Sequence, residues 1–475
     1  MRFQFTTAKY RFAAAIYLLS TYAFGVVSRN AWSDDFITIL NPGEHRIHAI
    51  RDGRIIYGWL LDLLFSYFNT IQAISIIRLF GLLGLVLLND TLIRKFSSST
   101  SAKNVAVATT LAFTLPSFQF AAHWAVLFMM GWTAYLAVIG LQFFSRHSFT
   151  FRLLGVILFS ISLLLYPLMS FFIFPYIYCL WLLGGASARN LCIELRDGVI
   201  LVLSASAISY FFAFVYLKLS DLAFNSRVDL LSAYDIPGKV FFFFSRPFAM
   251  TYRPFMINSP TTSETIFSVF LFFSLLILIF WRKTRSIRGT SIHVFMFNLA
   301  IVLSVLPLLV VSANQIDMRL IASNTWLYVF TVSYLFFDQI SKIQVGPLLM
   351  RKSISNVMMV LLLTVGTTTI NFHFLVLYQN RFQVKESFFG QQISKCSRAE
   401  LSHGITIIQR TIPWPKSNYL GAYSQHSDLE SSWVPIASVV EYLRYHNLPS
   451  TNLPIISNSP QNEHTCGIRL NDYPN

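Results

Sequence analysis

The sequence predicts an all-α polytopic membrane protein of about eleven transmembrane helices, with interfacial helices in its first outer loop and a small C-terminal extracytoplasmic domain. Three observations predict it. Charged residues make up 12% of the 475 residues, against about 25% in soluble domains. Apolar residues make up 55%, with a mean hydropathy of +0.56, and fall in runs of roughly 18 or more, enough to cross a bilayer as a helix. Forty-six Phe, 21 Tyr and 9 Trp suit lipid contact and interfacial belts.

The spans are predicted at 10–28, 72–92, 104–122, 124–144, 152–166, 170–186, 198–217, 264–281, 291–313, 320–338 and 354–378. The N-terminal stretch to Arg11 is basic and leads into the first span, which reads as uncleaved; Ala23-Phe24-Gly25 is a poor signal-peptidase site. The net charge of +15 is topogenic. Arg94, Lys95, Lys103, Arg146, Arg152, Arg282, Lys283, Arg285, Arg288, Arg351 and Lys352 all fall in segments on the N-terminal side of the membrane, and that bias holds them in the cytoplasm. No basic stripe interleaved with aromatics stands out, which argues against nucleic acid. The predicted location is a bacterial inner membrane, N-terminus cytoplasmic and C-terminus periplasmic. The pattern weakens over 152–186, where the chain must turn near Tyr166-Pro167.

A transmembrane domain of 1–378 thus carries two large outer loops, 29–71 and 218–263, and a periplasmic domain of 379–475 follows. In the first loop, 55–68 reads as a helix lying on the membrane, with Leu60, Leu61, Leu64, Phe65 and Phe68 on one face. The tail is polar, with Trp414 and Trp433 as core anchors, and Cys396 and Cys466 are available for a disulfide in an oxidising compartment.

The residues with chemistry cluster in the first loop. Ser33-Asp34-Asp35-Phe36 places two carboxylates side by side just beyond the first span. An ordinary helix cap is the bland reading. Adjacent like charges beside a membrane also repel and lose hydration, which raises a carboxylate toward general-base range. Arg51-Asp52-Gly53-Arg54 follows in the same loop. It reads as a turn with headgroup-binding arginines, or as a phosphate clamp, because the guanidinium offers a rigid donor fork to phosphate.

A first span, an outer loop opening on Asp34-Asp35-Phe36, then Gly53-Arg54 before an amphipathic helix, together resemble the Gtr-type glucosyltransferases that decorate bacterial O-antigen. More broadly they resemble the GT-C class of polytopic glycosyltransferases that use lipid-phosphate sugars. Motif-level likeness is confined to about 34–59, and Glu44-His45-Arg46 and His48 have no counterpart in that pattern. The resemblance implies a polyprenyl-phosphate sugar donor, most simply glucosyl, a cell-surface glycan acceptor, Asp34 or Asp35 as base, and inversion at the anomeric carbon. No cofactor is implied. Arg51 and Arg54, with Arg246, Arg253 or Arg319, are then candidates for the leaving phosphate.

Further polar positions have two readings each. His123-Trp124 reads first as an interfacial pair and second as a sugar-stacking site; Asn314, Asp317 and Arg319 read as a solvated turn or as a second edge of the same pocket. His45 and His48 are too loosely spaced to argue strongly for a divalent metal. Three other functions compete, one of them a non-enzymatic assembly protein, which would keep its activity without either aspartate. A polysaccharide polymerase or ligase would depend on arginines in the 218–263 loop. A lipid-glycan flippase would show ionisable residues in mid-span and broken helices.

Overall fold

The computed structural model describes residues 2–27, 33–97, 101–146, 148–184, 188–254, 262–313, 318–342, 348–373, 380–403, 405–408, 439–440, 442–443, 455–457 and 466–470. Seven helical stretches among them are long and apolar enough to cross a membrane: Thr7–Val27, Ile74–Phe96, Ala125–Phe144, Pro167–Gly184, Asn190–Leu219, Thr265–Thr284 and Ile287–Ser304. The chain is therefore a polytopic α-helical membrane protein.

In order, α1 (Arg2–Val27) is followed by three short helices, α2 (Ser33–Leu40), α3 (Pro42–Arg51) and α4 (Ile55–Tyr67), before the long α5 (Ile74–Phe96). Asn41 starts α3 by accepting the Glu44 amide at 3.3 Å, with Pro42 in the first turn, where a missing N–H costs nothing. The predicted span at 104–122 is broken. It forms α6 (Ala102–Ala112) and α7 (Pro116–His123), because a Pro116 ring continuing the helix would clash with the Ala112 carbonyl. Next come α8 (Met129–Phe144), α9 (Phe149–Leu165), α10 (Pro167–Ser170) and α11 (Ile173–Gly184). The turn expected at Tyr166-Pro167 is there, with Tyr166 extended (φ −153°) and Pro167 opening α10.

The longest helix, α12 (Ala188–Leu219), leads to α13 (Ile236–Phe243), a π-helical turn at Phe244–Phe248 and α14 (Ala249–Thr251). Then follow α15 (Thr262–Thr284), α16 (Ile287–Ser304), α17 (Leu306–Val310), α18 (Ala322–Lys342) and α19 (Leu348–His373). The stretch predicted as one span over 291–313 is thus broken at Val305-Leu306-Pro307.

Close packing fixes the central helices. A Cβ on Gly131 would lie 2.4 Å from the Leu85 amide, and one on Gly155 would lie 2.6 Å from the Gly140 carbonyl. Backbones of α5, α8 and α9 therefore touch, which is how membrane helices gain dispersion energy when lipid supplies no hydrophobic drive. Polar seams cross the same interior: Asn89 donates to Thr110 at 3.1 Å, Ser117 pairs with Thr325 at 2.8 Å, and Ser304 bonds Asn324.

Polar contacts hold helix ends and loops together along two lines. On one, Arg11 grips Asp90 through two bonds of 2.6 and 2.7 Å, Lys103 bonds Asn356, and Lys283 donates to the Leu182 carbonyl at 2.7 Å. On the other, Arg51 donates to Ala223 O at 3.2 Å, Leu231 N to Val310 O at 2.9 Å, and Ser312 N to Asp229 O at 2.8 Å.

The helix at 55–68 is present as α4, and its expected face turns inward: Leu61 and Phe65 are buried, Leu60, Leu64 and Phe68 partly so. That face packs on protein rather than lipid, and Trp59, Leu63 and Tyr67 form a second, exposed stripe. In the tail, α20 (Asn380–Ile393) and α21 (Arg398–His403) precede a parallel sheet ordered β2-β1-β3, with β1 Ile405–Ile408, β2 Ile455–Ser457 and β3 Cys466–Arg469. Cys396 and Cys466 form a disulfide. Trp414 and Trp433 lie outside the described residues.

Gly155→Leu and Gly131→Leu should each destabilise the protein by about 1–3 kcal/mol or more, the usual overpacking range. Thermal unfolding in detergent checks this, with the exposed Leu153→Ala as control; unchanged melting in the glycine variants would contradict the packing.

Candidate active site

The first turn of α2 carries the acidic pair. Only the backbone of Asp34 is described, whereas Asp35 is described in full and wholly buried. Its carboxylate accepts the amide N–H groups of Ala125 at 3.3 Å and Val126 at 3.0 Å. The Arg78 guanidinium, also wholly buried, stands 3.7 Å away. The amides belong to the 3₁₀ turn Ala125–Leu127, whose leading N–H groups have no partner inside the turn. Asp35 thus joins α2 to α5 and to the lead-in of α8.

Neighbouring residues brace this joint. Tyr57 donates to the Val126 carbonyl at 2.5 Å and stacks on Phe128 at 6.0 Å. His123 is wholly buried and lies over Gly25, where a Cβ would come within 2.0 Å of Nε2. Its ring meets Tyr22 edge-on at 5.7 Å, and Tyr22 donates to Phe113 O at 2.7 Å. The interfacial reading of His123-Trp124 is not what the fold adopts: both side chains are inside it, next to the amides that hold Asp35. His123 closes α7, which is folded back into the helix bundle.

The second motif is a tight turn. Gly53 sits at φ +78°, a left-handed conformation that side chains disfavour, and its amide donates to Ile50 O at 2.8 Å. Arg54 bonds Asp52 at 2.6 Å and covers the Tyr57 ring at 5.3 Å. Burial works against the Arg54 charge, but Asp52, Tyr57 and Tyr166 more than offset it, so the guanidinium is held above its ordinary value. The Asp52 Oδ1 atom is buried and has no hydrogen-bond partner. Arg51 is half-buried and reaches the 223–225 segment, where the Asn225 amide returns a bond to Arg51 O at 2.9 Å.

Of the remaining predicted residues, Arg246, Arg253 and the Arg319 backbone fall along one row of short helices. Helix α7, ending at His123, packs on the 3₁₀ turn Met318–Ile321, which packs on α14. That turn includes the Arg319 backbone; the Arg319 side chain, Asn314 and Asp317 lie outside the described residues. Arg253, just after α14, is buried and donates to Thr265 at 3.1 Å. Arg246 is exposed on the π-helical turn. In the first loop, His45 pairs with Thr38 at 2.6 Å while His48 is exposed. Among the described residues no three His, Cys, Asp or Glu side chains gather.

Sequence reasoning missed Arg78, which appeared only as part of an apolar run. The available signal was that a lone cation within a span needs an internal counter-charge. No protein-family model matches the chain, and no curated protein matches it.

Removing one partner of a buried ion pair costs about 3–5 kcal/mol, because the other charge is stranded. Arg78→Met should lose stability on that scale, while Arg78→Met combined with Asp35→Asn should lose no more than the single change. Chemical denaturation in detergent measures both, and additive losses would show that the two residues are not coupled.

Proposed function

We propose that the protein transfers a sugar, most simply glucosyl, from a polyprenyl-phosphate donor to a cell-surface glycan, with Asp34 as general base. The acceptor hydroxyl attacks the anomeric carbon, the bond to phosphate oxygen breaks, and its electron pair leaves with the phosphate. The hydroxyl proton passes to Asp34, and the anomeric carbon inverts. The leaving group is a phosphate, so it needs positive charge more than a proton. Arg51, at the Gly53 turn, and Arg54, held cationic beside it, are the candidates to supply that charge.

The observation that carries this reading is the burial of Asp35. Its oxygens are spent on Ala125, Val126 and Arg78, so it serves as an anchor and leaves the reactive role to its neighbour. A helix fixed by that anchor holds its first turn still, which is what a positioned base requires. The GT-C assignment, the eleven-span count and the periplasmic tail domain belong to the same proposal. The Cys396–Cys466 disulfide supports an oxidising compartment for the tail. The Tyr17 bonds to Leu363 and Thr367 hold α1 against α19.

A lipid-glycan flippase is the second reading. It is favoured by the Asp35–Arg78 pair inside the bundle and by the helix breaks at Pro116 and Pro307.

Asp34→Asn should cut sugar transfer by about 10²–10⁴-fold at normal protein level, the range for a lost general base. Asp35→Asn should instead lower protein level or melting temperature. Glycan analysis of cells carrying each variant reads the outcome; full modification with Asp34→Asn would remove the proposed base.

A further inference from the structure

The helical stretch from Ile236 to Thr251 is sixteen residues long, about 24 Å at 1.5 Å per residue, short of the roughly 30 Å apolar thickness of a bilayer. Both of its flanks are tied to the face that carries α2. Before it, Asp229 and Leu231 bond to Ser312 and Val310. After it, Arg253 bonds Thr265 near the start of α15. The stretch therefore begins and ends on one side.

Its polarity is the reverse of a water-facing helix. The one cation within α13, Lys239, is buried, donates to Ala313 O at 2.8 Å and lies over the Phe242 ring at 4.9 Å. What faces outward is Tyr234 (96% exposed), Phe241 (75%) and Phe244 (57%), with Ile236 and Val240 half-exposed. Ile266, Phe267 and Phe270 are likewise exposed on α15, a helix long and apolar enough to cross the membrane. No acid lies between Ile236 and Tyr252, and Arg246 is exposed beside Phe244.

We propose that residues 234–248 form a monotopic membrane anchor. Ile236, Val240, Phe241 and Phe244 lie among the acyl chains of the leaflet on the α2 side, while Tyr234 and the exposed Asp235 stay at headgroup level and Arg246 reaches back to the headgroup phosphates. A long cationic side chain at the edge of an apolar helix settles in that way. The Lys239 bond to Ala313 holds the anchor to the segment after α17, so the leaflet is contacted at a fixed place beside residues 310–313. This inference needs only the membrane character of the chain and stands apart from the proposed reaction.

The test is nitroxide labelling of Phe241→Cys and Phe244→Cys in a Cys192→Ser background, in nanodiscs of zwitterionic and anionic phospholipid. Ser220→Cys is the exposed-loop reference. The expected result is a nitroxide at 241 and 244 that collides with oxygen at least several-fold more readily than with a water-soluble nickel chelate, relative to 220. Collision with the nickel chelate equal to that at 220 would place the segment in water and overturn the proposal. Low collision with both reagents, with dipolar broadening between labels, would assign the face to a second copy of the chain and overturn it equally.

Discussion

A carboxylate taken out of water inside a membrane protein must find its counter-charge within the fold, and Asp35 finds it in Arg78 and two backbone amides. The pair earns little net stability, since desolvating both ions consumes most of their attraction. Its value lies in what fails without it: either partner alone is a buried charge in a low-dielectric setting. The register of α2 against α5 and the α8 lead-in is thereby fixed to one arrangement. Tyr57, His123 and Gly25 close around that joint, and the Gly53 turn hangs from the far end of α3.

Helix breaks make this arrangement possible. A straight span over 104–122 would carry His123 and the following amides to the surface. The break before Pro116 shortens α6 and folds α7 back, so that Ala125 and Val126 point their N–H groups at Asp35. Non-helical backbone at such depth is tolerated only where the protein covers it. Here Phe113, Thr114, Leu115 and Trp124 are all buried, and the Phe113 carbonyl accepts from Tyr22. At the Val305 break, Ser304 donates to the Ile301 carbonyl.

The membrane class, the turn at Tyr166-Pro167 and the helix after Gly53 were legible because each rests on a local rule: apolar length, proline geometry and amphipathic spacing. Asp34-Asp35 and Arg51 to Arg54 were legible as a polar island between apolar runs. The partition of labour between the two aspartates was not, because it depends on Arg78, 43 residues away, and on amides 90 and 91 residues away. The inward turn of His123 was hidden for a like reason, since it needs Gly25 on another helix. The segment at 55–68 showed its apolar face in the sequence, but whether that face met lipid or protein was decided by α2, α3 and α9 packing on it.

Transfer and translocation differ in whether the bond from sugar to lipid phosphate survives, and that bond can be followed directly. The purified protein in nanodiscs is supplied with a polyprenyl-phosphate sugar and an acceptor glycan, and both lipid and glycan products are analysed. The account requires one free polyprenyl phosphate for each sugar transferred, with the new glycosidic bond inverted relative to the donor. Movement of the intact lipid-linked sugar across the bilayer, with no polyprenyl phosphate released, would contradict it.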